Sequence, residues 1–178
     1  MNQGQYVFSQ LISFLSHNDF IRCVKKYQGN YKVKTLTCWH QLLHMIFGQL
    51  SRRESLSDLI ICLQSQRNKS YHLGMGKGAS KAALAKANEN RDYRIYESFA
   101  TELIAQAQSL SVGMEDLKLS VNAAVYAIDA TVVDLCLNIF LCDKFLNHKA
   151  AVKILAMLDV KTPIPTFIDV SSGAVHEI

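Results

Sequence analysis

The chain has 178 residues, of which 49% are hydrophobic and 19% charged, with 8 Gly and only 2 Pro. That composition excludes a disordered, collagenous or purely coiled-coil chain and predicts a folded core large enough to need no disulfide staples. Five cysteines with no CxxC pair fit free thiols in a reducing compartment, no stretch approaches the roughly 20 apolar residues of a membrane span, and no basic leader precedes an apolar core. A cytoplasmic protein without membrane contact is the expectation.

The formal charge of +4 hides an asymmetry: residues 20 to 94 carry 14 Lys or Arg against 4 acids, whereas residues 95 to 178 carry 5 against 10. A basic excess confined to one region is what a polyanion-binding surface needs, because each neutralised phosphate releases counterions. A solvated face that only confers solubility gives the same count.

In chain order, Val7, Phe8, Leu11, Ile12, Phe14 and Leu15 recur at helical spacing and predict a core-facing helix, followed by a second, capped by Asn18 or Asp19. A wide apolar stripe from Leu36 through Trp39, Leu42, Leu43, Ile46 and Phe47 to Leu50 predicts a stronger helix from about Thr35. It ends at a capping-box pattern, Ser51 to Glu54, before another amphipathic run over Leu56, Leu59, Ile60 and Leu63. Residues 67 to 81 carry three glycines and no apolar period, which predicts an exposed basic loop.

Ser80 is placed to cap a short Ala-rich helix through Leu84 and Ala87. A turn at Asn88 to Asn90 and a long helix through Ile95, Phe99, Leu103 and Ala107 follow. Lys77, Lys81, Lys86, Arg91 and Arg94 flank this helix-turn-helix. A major-groove reader needs a short helix of small residues with cations beside it for phosphates, although an ordinary helical hairpin with a basic rim has the same pattern.

Beyond Ser111 the texture changes. Val121 to Val133, Ala151 to Val160 and Ile164 to Val170 predict three strands, the last two joined through Lys161-Thr162-Pro163 as an antiparallel hairpin. The fold class expected is α+β: a helical domain over residues 1–112, then three antiparallel strands within residues 113–178.

Several chemistries drop out. His40 and His44 have zinc-ligand spacing without a general-base Glu between them and are better read as partly exposed helix histidines. The Gly74 to Gly78 run lacks the GK[ST] ending of a phosphate loop, and Cys136, Cys142 and His148 match no zinc template. What remains is Asp129, a carboxylate inside an apolar strand whose same-face neighbours Ala127 and Thr131 are small enough to leave room for a metal and a phosphate. A structural Asp bonded to a neighbouring loop is the plainer reading. Asp134, Asp159 and Asp169 fall nearer predicted strand ends.

The segments ASKAALAKANENRDYRIYESFA (79 to 100), YAIDATVVDLCLNIF (126 to 140), VKILAMLDV (152 to 160) and IPTFIDVSSGAVHEI (164 to 178) resemble the front part of bacterial insertion-sequence DDE transposases of the insertion-sequence-four group. The resemblance implies a helical DNA-binding domain followed by the opening strands of a ribonuclease H-like domain. Asp129 would be the first catalytic and metal-binding acid, Mg²⁺ or Mn²⁺ the cofactor, and double-stranded DNA at element ends the partner; a homodimer is compatible with this. The family's second Asp and its Glu lie further along than Ile178, so a truncated transposase inactive alone is expected. The family's His in the second strand is replaced by Leu155. A non-catalytic DNA-binding regulator or transposase remnant is the alternative, and a helical protein-interaction domain a third.

Overall fold

A computed structural model describes residues 6–70, 72–76, 78–111, 126–134, 151–159 and 164–172. The molecule is α+β, a helical N-terminal region followed by a three-stranded antiparallel sheet. It divides into two compact units, Met1–Phe99 and Ala100–Ile178. Among the described residues no helix is long and apolar enough to cross a membrane.

In the first unit, helix α1 (Val7–Ile12) buries Phe8 but leaves Val7 and Phe14 73% and 80% exposed, so the first helix is shorter and less core-facing than its periodicity predicts. The reason is local hydrogen bonding. Ser13 Oγ donates to the Gln10 carbonyl at 2.6 Å, and the chain tightens into i→i−3 bonds at Phe14 and Leu15, swinging Phe14 outward. Ser16, not Asn18 or Asp19, then caps α2 (His17–Lys26), accepting from the Asp19 amide at 3.3 Å. This helix buries Phe20 against the rings of Trp39, Tyr96 and Phe99, at centroid distances of 5.4, 6.0 and 5.1 Å.

Helix α3 (Cys38–Leu50) begins at Thr37, whose hydroxyl accepts from the His40 amide at 3.2 Å, and runs through the core with Leu43 and His44 fully buried. His44 is thus an interior residue, unlike the partly exposed histidine its spacing predicts. Ser51 folds back to the Phe47 carbonyl at the end of α3, and the cap of α4 (Leu56–Ser65) is Ser55, accepting from the Asp58 amide at 3.1 Å. Gly48 lets α4 close on α3, since a Cβ there would stand 3.3 Å from Leu59.

After the four-residue α5 (Arg67–Ser70), the glycine-rich segment turns through positive φ at Gly74, Gly76 and Gly78. It is not simply an exposed loop: Leu73 and Met75 are buried and join the core of Leu43, Leu59, Leu63 and Leu84. The alternation of glycine with a buried apolar residue pins the segment down. Helix α6 (Lys81–Asn90) starts at Ser80, which accepts from the Ala83 amide at 3.2 Å, and buries Leu84 and Ala87. Helix α7 (Arg94–Ser111) buries Ile95 and Phe99 in this unit.

In the second unit, β1 (Tyr126–Asp134), β2 (Ala151–Asp159) and β3 (Pro165–Ser172) form where the apolar runs predict strands, and they pair antiparallel in the order β1-β2-β3. An irregularity between Met157 and Leu158 shifts the β2–β3 register. Gln108 Nε2 donates to the Pro165 carbonyl at 3.2 Å, tying the end of α7 to the start of β3. Residues 121–125 of the predicted first strand, the Lys161-Thr162-Pro163 turn, Cys136, Cys142 and His148 lie outside the described residues.

Candidate nucleic-acid interface

The sequence stretch Lys25-Lys26-Tyr27-Gln28-Gly29-Asn30-Tyr31-Lys32-Val33-Lys34 interleaves cations and aromatic rings. It folds into a tight loop held by two residues at positive φ, Gln28 and Lys32, and by the Asn30 carboxamide, whose Oδ1 accepts from the Cys38 amide at 2.8 Å. Gly29 sits where the loop presses on the core: a Cβ there would collide with Ile95 and stand 2.8 Å from Cys38 Sγ. Between this loop and α6 runs a groove of about 490 Å³ with Tyr27, Tyr31 and Lys34 on one side and Lys86, Asn90 and Arg91 on the other.

Cations meet aromatic faces in this region. The Lys26 ammonium and the Arg94 guanidinium each lie 5.1 Å from the centroid of the Tyr27 ring, and Lys32 lies 5.1 Å from that of Tyr31. The Tyr27 hydroxyl is 3.1 Å from Ser98 Oγ, and this hydrogen bond, followed by that to Lys26, draws its phenol below the ordinary value. Tyr31 is 70% exposed.

Among the cations singled out from sequence, Lys81 and Lys86 stand exposed on α6 beside Ala82, Ala83 and Ala85, which gives that helix a face of small residues and two ammonium groups. Arg94 is exposed but grips Asp92 through its Nε at 3.0 Å and Nη2 at 2.6 Å; those hydrogen bonds hold the Asp92 carboxyl below its usual range and raise the guanidinium. Arg91 turns inward, donating to the Leu36 carbonyl, to the Thr37 carbonyl at 3.0 Å and to Gln41 Oε1 at 2.5 Å. Lys77 lies outside the described residues.

Sequence reading did not single out Tyr27, Tyr31 and Lys34; the signal was the dense alternation of Lys and Tyr over residues 25–34. Gln41 also went unmarked. It is buried on α3, accepts from Arg91 and from the Tyr96 hydroxyl at 2.6 Å, and donates to Asn88 Oδ1 at 2.5 Å, fastening α6 and α7 to α3. Burial, foremost among several influences, pushes the Tyr96 phenol up.

Asp129 lies mid-strand in β1 opposite Ala156, exposed, with the Thr131 hydroxyl donating to its Oδ2 at 3.3 Å. The register puts it on one face with Ala127, Thr131, Ile154, Ala156, Ile168 and Val170. Asp159 and Asp169 fall on the opposite face, and Asp169 sits within β3 rather than at its end because the strand runs on to Ser172. No group of three or more His, Cys, Asp or Glu able to hold a metal occurs among the described residues.

No curated protein and no solved structure shows detectable similarity to the chain. Residues 3–76, which contain α1 to α5 and the Tyr27 to Lys34 wall of the groove, match the family model described as Domain of unknown function (DUF4372).

Proposed function

We propose that the helical unit binds double-stranded DNA and that the chain is the front part of a DDE-type insertion-sequence transposase, with β1 to β3 opening a ribonuclease H-like domain. The observation that carries the DNA-binding part is the groove, which Lys34 and Lys86 both line beside Tyr31 and the small-residue face of α6. Cations beside a short helix of small residues contact phosphates while the helix approaches the bases. The match of residues 3–76 supports the transposase-like part, since that domain is typical of such proteins. In this reading Asp129 is the first acid of the catalytic set.

The ion used in such chemistry, Mg²⁺ or Mn²⁺, takes several oxygen ligands, and paired ions need carboxylates converging from different elements. Among the described residues Asp129 has no second carboxylate on its sheet face, so these residues do not fit the ion by themselves. That isolation favours, as a second reading, a DNA-binding regulator whose function needs no metal.

The test is affinity for double-stranded DNA as a function of salt. A steep fall of log K with log salt is expected, and binding that is absent at low salt or indifferent to salt overturns the reading. Both the transposase and the regulator readings require this outcome, so its failure removes both.

A further inference from the structure

A second cavity, of about 470 Å³, opens elsewhere in the helical unit, and its lining combines an apolar wall of Ile60, Leu63 and Met75 with Arg67, Ser80 and His44. His44 is fully buried. Its Nδ1 stands 2.7 Å from the His40 carbonyl oxygen, which only accepts, so Nδ1 carries the proton and Nε2 is left as a lone-pair acceptor. Nε2 is buried and has no hydrogen-bond partner among the described residues. A buried acceptor left unpaired is costly, and such an atom beside a cavity calls for a donor from a bound molecule.

The remainder of the cavity narrows the chemistry of that molecule. Arg67 supplies an exposed guanidinium, and Ser80 marks the N-terminus of the ten-residue α6, where the Ala83 amide is taken by Ser80 Oγ but the Lys81 and Ala82 amides lack intrahelical acceptors and favour an anion. Inorganic phosphate or an aliphatic carboxylate would satisfy that end while offering Nε2 chiefly more acceptors. The ligand must therefore join an anionic group to a planar or apolar body bearing an N–H donor, and the cavity volume lies within the range of small-molecule sites.

We infer that this cavity binds a nucleoside monophosphate unit, the base lying against Ile60, Leu63 and Met75 with an N–H donated to His44 Nε2, and the phosphate between Arg67 and the start of α6. The unit comes either as a free nucleotide or as an unpaired nucleotide within a strand. The inference does not depend on the DNA-binding groove, with which the cavity shares no lining residue.

The test uses the full chain, titrated by calorimetry with AMP, GMP, CMP and UMP and with a short single-stranded oligonucleotide. At least one monophosphate is expected to bind, with His44→Phe and Arg67→Ala each weakening it about tenfold and Arg22→Ala, an exposed cation outside both cavities, leaving it unchanged. Circular dichroism reports whether His44→Phe folds; if it does not, the surface variant Arg67→Ala decides. Tighter binding of the oligonucleotide with the same loss in the variants assigns the ligand to a strand, and binding of the monomer alone assigns it to a free nucleotide. Absence of binding by all four monophosphates and the oligonucleotide at millimolar concentration, or wild-type affinity in the folded variants, overturns the inference.

Discussion

The Arg91 guanidinium donates from Nη1 to Gln41 Oε1 at 2.5 Å, joining the turn between α6 and α7 to the interior of α3. Because the same guanidinium also serves the carbonyls of Leu36 and Thr37, one side chain satisfies three acceptors around the start of α3. Its removal leaves those acceptors without that donor, and hydrogen bonds from charged donors are worth about 1.5–3 kcal/mol each. Arg91→Ala is therefore expected to lower unfolding stability by about 2–3 kcal/mol, and Arg91→Lys to recover only part, because an ammonium lacks the fork. Urea unfolding measures this, and an unchanged midpoint in Arg91→Ala would contradict the structural role.

The groove makes a different demand. Lys34 and Lys86 both line it, whereas Arg94 already has Asp92. Lys34→Ala and Lys86→Ala are each expected to weaken DNA binding and to reduce the salt slope by about one. Arg94→Ala should change the slope less, since its charge is partly neutralised before DNA arrives. Affinities measured over a salt series decide, and equal slopes in all three variants and the wild type would remove the groove from the interface.

Asp129 belongs to the other compact unit, on a sheet face with no other described carboxylate. Asp129→Ala is expected to leave DNA affinity and its salt dependence unchanged, because the carboxylate adds no phosphate contact. A loss of affinity beyond about threefold, roughly 0.6 kcal/mol, would place the residue in the DNA interface instead.

Much of the fold is legible where one local signal acts alone. Ser80 before an Ala-rich run gives α6 its start, and the apolar, β-branched runs of residues 151–160 and 164–170, separated by a short connection, give the antiparallel β2–β3 pair. Legibility fails where signals compete. Ser13 and Ser16 stop α1 although Phe14 continues its apolar period, and Leu73 and Met75 are buried within a glycine-rich stretch that has no period at all. The site divides similarly: the exposed lysines of α6 follow from helix position, but no local pattern shows that Arg91 turns inward to Gln41, a partner 50 residues earlier.

Gly29 is needed for want of space, not for an unusual φ. A Cβ at this position would overlap the Ile95 side chain and crowd Cys38 Sγ at 2.8 Å, and both neighbours are fully buried. Overpacking of this kind costs about 1–3 kcal/mol. Gly29→Ala is expected to destabilise by that amount and to displace the Tyr27 to Lys34 loop, so DNA affinity should fall with it. The double variant Gly29→Ala, Ile95→Val, which removes one methyl group from the collision, should recover part of the stability. Failure of that rescue in thermal unfolding would mean that the clash is relieved elsewhere.

Burial of His44 penalises its charged form and pushes the imidazole below the ordinary value of 6.5, against a smaller opposing effect of the hydrogen bond to the His40 carbonyl. Since the folded pKa is depressed, the unfolded chain takes up the proton first as pH falls through about 6.5. The contribution of neutral His44 to stability is therefore complete above that pH and is lost progressively below it, down to the depressed folded value. His44→Phe keeps a ring in the core and has nothing to protonate. Urea midpoints between pH 8 and pH 5 should fall more steeply for the wild type than for His44→Phe, with the difference appearing below about pH 6.5. Because the remaining histidines titrate in both proteins, parallel curves would mean that His44 takes up its proton as readily inside the fold as outside it.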